Sequence, residues 1–221
     1  MIDTNIRTEN VEPGSEYLQG AIKQFRRNGF TVSYFEQGRD AAEYLCGKIQ
    51  GKTVGFGDSA TLAALQLAER LREKNRVIDP GPYSGEDFYR VAREAMNTDI
   101  FLLSVNAASA SGELVNIDSS GNRVGGSLFG HEKVYFVFSA DKIEPSLERA
   151  VWRARNIAAP QNARRFGFRT PCAIKGDKCY NCSSPDRICN VLAIHMRKEK
   201  HMEEELVIIG ENVLQHREDS F

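Results

Sequence analysis

The chain has 221 residues, 41% of them hydrophobic and 27% charged, with 29 Lys and Arg against 30 Asp and Glu. That length supports one sizeable domain, or a domain with a small appendage. A formal net charge of −1 gives no basic field for nucleic acid or an anionic membrane, and no apolar run reaches the roughly 18 residues of a membrane span.

Residues 1–14 read as a polar leader without the apolar core of a signal peptide, so a cytoplasmic protein is expected. Ser15 then caps a predicted helix running to Asn28, with Tyr17, Leu18, Ala21, Ile22 and Phe25 on one face and Gly29 as the stop. Residues 30–35, FTVSYF, read as a strand. Asp40 is the expected cap of a short helix, AAEYLCGKI, on which Cys46 packs as an inert thiol.

The run KTVGFGDSATLAALQLAERLREKN predicts a strand, a glycine turn and one continuous helix with Leu62, Leu65, Ala68 and Leu71 inward. Gly55, Gly57, Ser59 and Thr61 belong to the turn. Glycines after a strand admit a ligand close to the backbone, and free N–H groups at a helix start suit an anion. Ser59 or Asp58 serves equally as a plain N-cap, and both readings stand. The spacing matches neither the dinucleotide fingerprint nor the phosphate loop with its lysine.

After a short strand at 76–79 and the helix FYRVAREAM comes the stretch Phe101 to Arg123, FLLSVNAASASGELVNIDSSGNR. It reads as an apolar strand, a polar break at Asn106 to Ser111, a second alternating strand and a tight turn, in hairpin fashion. Any one polar residue here is ordinary turn chemistry. Together, Asn106, Asn116, Asn122 and Arg123 make the expected rim of a ligand pocket facing the glycine turn, with Asn162 joining them later in the chain. Glu113 and Asp118 are the candidate acid–base pair, because a carboxylate held beside apolar strands can have its pKa raised into a useful range. Arg123, Arg164 and Arg165 are candidate anion clamps.

KVYFVFS at 133–139 is the most β-prone run, and the helix SLERAVWRARNIAA is expected to end at Pro160. Strands alternating with helices across residues 15–159 predict an α/β fold: a mainly parallel, Rossmann-like sheet flanked by helices, with ligand at the carboxyl ends of the strands.

From residue 166 the apolar periodicity lapses, and Cys172, Cys179, Cys182 and Cys189 follow with the spacing Cys-x6-Cys-x2-Cys-x6-Cys. Clustered cysteines in a chain without an export signal favour metal or redox chemistry over structural disulfides. Zinc would take four thiolates as a closed tetrahedral staple, and a 4Fe–4S cluster would take one cysteine per iron. The spacing decides between neither, and free thiols or a redox disulfide stay open. His195 and His201 read as surface residues on a helix. LVIIG near the C-terminus predicts a last strand that joins the sheet. The expected division is therefore a leader at 1–14, an α/β core at 15–165, a cysteine-rich insertion at 166–200, and the final strand with a C-terminal tail at 201–221.

Three stretches, TVGFGDSATL, SVNAASASGELVNIDSSGNRV and NIAAPQNARRFGFRTPC running on into KCYNCSSPDRICN, make the chain similar to the LUD domain family, which includes the lactate-utilisation proteins. The resemblance implies the fold shared by glucosamine-phosphate deaminases, ribose-phosphate isomerases and CoA transferases. It also implies a small anionic metabolite as ligand, lactate or another organic acid, and an iron–sulfur redox protein as partner. It transfers no catalytic residues. The leading expectation is a component of organic-acid oxidation coupled to electron transfer through the cysteines. The alternatives are a non-catalytic accessory subunit braced by zinc, and a phosphosugar or CoA-ester enzyme of the same fold.

Overall fold

The computed structural model describes residues 15–214. The leader at 1–14 and the tail at 215–221 lie outside the described residues.

Helix α1 (Glu16–Arg27) starts where expected: the Ser15 hydroxyl accepts the Leu18 N–H at 3.3 Å, and Leu18, Ala21, Ile22 and Phe25 are buried. Gly29, at φ +93°, supplies the left-handed turn into β1 (Thr31–Phe35). Helix α2 (Gly38–Lys48) begins earlier than its sequence suggested. Asp40 lies within its first turn, and the Gly38 N–H is taken by the Glu211 carboxylate at 2.6 Å.

β2 (Thr53–Phe56) leads into two helices rather than one, α3 (Ala60–Ala64) and α4 (Leu67–Arg72). The break is Gln66, at φ +53°. It re-aims the chain so that Leu62, Leu65, Ala68 and Leu71 all stay buried. β3 (Arg76–Ile78), α5 (Gly85–Ala95) and β4 (Ile100–Leu103) follow.

The expected hairpin is resolved differently. β4 belongs to a large sheet, and its chain then crosses to a second sheet, where β5 (Ala107–Ser109) pairs antiparallel with β6 (Leu114–Asp118). The polar break is thus itself a strand. Ala107, Ala108 and Ser109 are fully buried, because only small side chains fit between the sheet and the helix that covers it. Helix α6 (Asn122–Leu128), β7 (Lys133–Ser139), a 3-10 turn at Ala140–Lys142, and β8 (Ile143–Glu144) come next.

Pro160 does not end the following helix. α7 (Leu147–Arg153) passes through a π-helical turn at Ala154–Ala158 into α8 (Ala159–Arg165). The Ala159 N–H reaches back five residues to the Ala154 carbonyl. That shift of register leaves Pro160 in the first turn of α8, where a missing N–H costs little. α9 (Pro171–Lys175), β9 (Val191–His195) and β10 (Glu203–Ile209) complete the elements.

The large sheet is parallel throughout, in the order β1-β10-β7-β4-β2-β3, and the last strand in sequence is inserted between β1 and β7, one strand in from the edge. Ile100, Leu102, Val137 and Val207 face α2, α3 and α4, while Phe101, Leu103, Phe136 and Leu206 face α1, α5 and the second sheet. That sheet, ordered β8-β5-β6-β9, buries Val115 and Ile117 against α7, the π turn and α8. Two successive faces are therefore covered by apolar residues at alternating positions, as a period of two requires. No helix among the described residues is long and apolar enough to cross a membrane.

Candidate functional site

In the large sheet β2 has β3 on one side and β4 on the other, so the connections diverge at the β2–β4 boundary. Ligands in parallel sheets bind outside the carboxyl ends of strands at such a switch point. Here the ends of β2, β4 and β7 deliver the β2–α3 turn, Ser104 to Asn106, and Asp141 with Lys142.

Lys142 is the centre of this mouth. Its Nζ donates to Ser104 Oγ at 3.0 Å, Thr61 Oγ1 at 3.1 Å and the Val105 carbonyl at 3.3 Å. Burial pushes its pKa down to about 8, with Arg153 and Arg123 opposing its charge and Asp141 favouring it. Arg153 donates to the Asn106 carbonyl at 2.7 Å and approaches Asp141 at 3.5 Å and Glu144 at 3.7 Å. Glu144 also faces Arg149 at 3.7 Å. Its burial pushes the carboxyl up, against the pull of the two guanidiniums.

The glycine turn joins the mouth in part. Thr61, 1% exposed, bonds Ser104 and Lys142. Gly57 lies against Arg123 and Leu103, where a Cβ would stand 3.0 Å from Arg123 Cγ. Gly55 lies inside β2, and its missing side chain makes room for the Ala95 carbonyl and Thr98. The Ser59 hydroxyl caps α3 by accepting the Leu62 N–H at 3.3 Å.

On the second sheet, Asn106 and Asn116 bond each other's strands. The Asn116 Oδ1 accepts the Asn106 N–H, and the Asn106 Oδ1 accepts the Ile117 N–H. Asn116 Nδ2 is buried with no hydrogen-bond partner among the described residues. Arg123 donates to the Ile117 carbonyl. Asn122 opens α6 and accepts from Ser120 Oγ at 2.9 Å. Asn162 is half-buried on α8, and α8 is tied to the glycine turn by Arg165, 3.8 Å from Asp58. Arg164 instead donates to the Ala173 carbonyl of α9.

The two candidate acid–base carboxylates occupy different places. Asp118 caps α6: its oxygens accept the Val124 N–H at 2.9 Å and the Ser119 N–H at 2.7 Å. Glu113 accepts from the hydroxyls of Ser109 and Ser111 at the β5–β6 turn. That turn packs on the end of α1, where Asn28 donates to the Gly112 carbonyl. The three-residue strand β5 separates it from the Asn106 end.

The four cysteines are free. The Cys172 Sγ lies 3.2 Å from Thr170 Oγ1. Cys179 Sγ accepts the Asn181 N–H at 3.3 Å, and Arg155 approaches it at 3.9 Å. Arg187 donates to Cys189 Sγ at 3.1 Å and to the Cys182 carbonyl at 2.8 Å. Among the described residues no three His, Cys, Asp or Glu side chains converge as a metal shell.

His195 overturns its expected surface position. It closes β9, is buried, and its Nε2 lies 3.1 Å from Ser127 Oγ while Nδ1 faces Glu204 Oε1 at 4.0 Å. The Ser127 hydroxyl donates to the Val124 carbonyl at 2.8 Å, so it accepts from Nε2–H. The other ring nitrogen is then left as an acceptor toward Glu204. Lys142, Arg153 and this Ser–His–Glu group escaped the sequence reading. The available signal was a polar pair, Asp141-Lys142, directly after the most β-prone run, and an apolar VLAIH whose alternation marks a strand.

A parallel α/β sheet flanked by helices defines the class: a protein of the Rossmann-like fold type. The model of the LUD domain matches residues 18–209, most of the chain, and the protein belongs to the LUD domain family. Membership supports a protein related in general to lactate utilisation. Among solved structures, a DUF162-family protein of Deinococcus radiodurans aligns over 90% of this chain and 100% of its own. The TM-score is 0.50 and the identity 12%, so the likeness bears on the fold alone. No curated protein matches the sequence.

Proposed function

We propose that this LUD protein serves the use of a small organic acid, lactate or its oxidised relative foremost, and binds the acid's carboxylate at the Lys142 mouth. The observation that carries the reading is the grouping of Lys142, Arg153 and Arg123 at the carboxyl ends of β2, β4 and β7. Half-buried cations whose charges oppose one another favour an anion beside them, and the hydroxyls of Thr61 and Ser104 add neutral donors. The roles are binding and orientation. Glu113, bonded into a turn, and Asp118, bonded as a cap, would contribute to shape rather than to proton transfer.

Thermal unfolding of the full chain with lactate, pyruvate, a phosphosugar or CoA tests this. A ligand that binds only the folded state raises Tm with its concentration. Stabilisation by lactate or pyruvate, lost in Lys142→Met, is the expected result. Stabilisation by the phosphosugar or CoA alone would favour a phosphosugar or CoA-ester enzyme instead.

A second reading, electron transfer through the cysteine segment to an iron–sulfur partner, is favoured by the cysteine spacing and by guanidiniums reaching two of the sulfurs. Protein purified without oxygen should then be brown with bound iron. A colourless, zinc-containing protein would mark an accessory subunit, and a metal-free one would remove the reading.

A further inference from the structure

We propose that Lys142 acts as a covalent amine: its neutral Nζ attacks the C2 carbonyl of a small 2-oxo acid and holds it as an imine. The inference rests on the small-acid reading of the same mouth and names its chemistry.

Lysines become nucleophilic when they are desolvated and set beside other cations without a carboxylate to hold the proton. Lys142 meets the first two, and its polar contacts bear on the third. Its three polar contacts are neutral oxygens, two hydroxyls and one carbonyl. The adjacent carboxylate, Asp141, is turned to Arg153 at 3.5 Å and to Asn212 at 3.1 Å. The Asp141 charge favours protonation of the amine, while Arg153 and Arg123 oppose it. With a pKa pushed down to about 8 by burial, an appreciable share of the lysine is neutral near pH 7.

The ligand class follows from what stands around the amine. Arg123 gives one bond to the Ile117 carbonyl and lies 4.0 Å from Asp118 Oδ1, which leaves some of the five N–H donors a guanidinium carries. In the proposed complex a carboxylate held there sets its neighbouring carbon toward the amine. For an imine that carbon must be a carbonyl, so the acid is a 2-oxo acid and not a 2-hydroxy acid.

The Nζ lone pair forms the C–N bond while the carbonyl oxygen gains a proton, giving a carbinolamine. The nitrogen then loses its proton, the oxygen is protonated again and leaves as water, and the C=N bond closes. Nothing is oxidised or reduced, and hydrolysis runs the same steps backwards. Thr61 and Ser104, 3.3 Å apart and both bonded to Nζ, are placed to pass the protons.

The full chain incubated with pyruvate and sodium borohydride, then weighed intact and mapped by peptide mass spectrometry, tests the proposal. One reduced adduct on Lys142 is expected, absent when lactate replaces pyruvate and absent in Lys142→Arg. The mapping on the unaltered chain stands even where that variant folds poorly. In Thr61→Val, which keeps the lysine, labelling should slow several-fold. If pyruvate raises Tm but borohydride leaves no adduct on Lys142, or labels surface lysines equally, the imine is overturned and the anion site survives. If pyruvate neither stabilises nor labels the chain, both readings fall.

Discussion

Glu204→Gln should stabilise the folded chain at about pH 8 and do so much less at about pH 5. Glu204 sits near the start of β10 with its side chain 0% exposed. Oε2 accepts the Glu199 N–H at 3.2 Å, and Oε1 faces His195 Nδ1 at 4.0 Å. Burial pushes its carboxyl up from 4.5 to about 7, the Glu199 charge adding to the effect, while the Glu199 N–H and Lys198 oppose it. A raised carboxyl binds its proton more tightly in the folded state. The stability this gives is complete below about pH 4.5 and is lost as pH rises through about 7. At roughly 1.4 kcal/mol per pKa unit, the loss approaches about 3 kcal/mol. Glutamine keeps the oxygen for the Glu199 N–H, offers a donor to Nδ1 and cannot ionise. Urea unfolding of both proteins at the two pH values reads the difference. A stability change of equal size at pH 5 and pH 8 would refute the buried-proton argument.

On the acid side, His195 has its pKa pushed down to about 4 by burial. Its stabilisation is complete above about pH 6.5 and is lost as pH falls through about 4, so acid unfolding should be shifted to higher pH relative to His195→Gln. Asp118→Ala removes the acceptor for the Val124 N–H in the first turn of α6 and for the Ser119 N–H before it and should cost about 1 kcal/mol by thermal unfolding. Gly126→Ala drives a methyl into the Phe101 ring, and a loss of about 1–3 kcal/mol is expected from overpacking. Glu113→Gln, at the far end of β5 from Lys142, should leave pyruvate binding unchanged when measured by calorimetry.

The sequence carried the fold well wherever apolar period and caps agreed. Ser15, Gly29, KVYFVFS and LVIIG each marked an element that the structure contains. It misled where tertiary contacts set the local conformation. Gln66 breaks a helix whose apolar stripe runs through it, because the two halves must meet the sheet at different angles. Pro160 looks like a terminator until the π turn before it shifts the hydrogen-bond register. The polar residues at 106–123 drew notice as a cluster, and the structure divides them. Asn106, Arg123 and the Asn116 bond lie by the mouth, whereas Glu113 stays at the hairpin turn. Lys142 and Arg153 gave little sign because a single charged residue after a strand or on a helix is usually solvated. What distinguishes them is desolvation by elements distant in sequence, Thr61 from α3, Ser104 and Asn106 after β4. No local pattern encodes that convergence.

The central claim is that Lys142 and its neighbours bind a small carboxylate. Isothermal titration of pyruvate and of lactate into the unaltered chain and into Lys142→Met, with circular dichroism to verify folding, tests it most directly. Saturable binding of at least one of the two acids is expected, with a loss of at least about tenfold in the variant, equivalent to roughly 1.4 kcal/mol. Equal affinity in a folded Lys142→Met, or no heat with either acid, would contradict it.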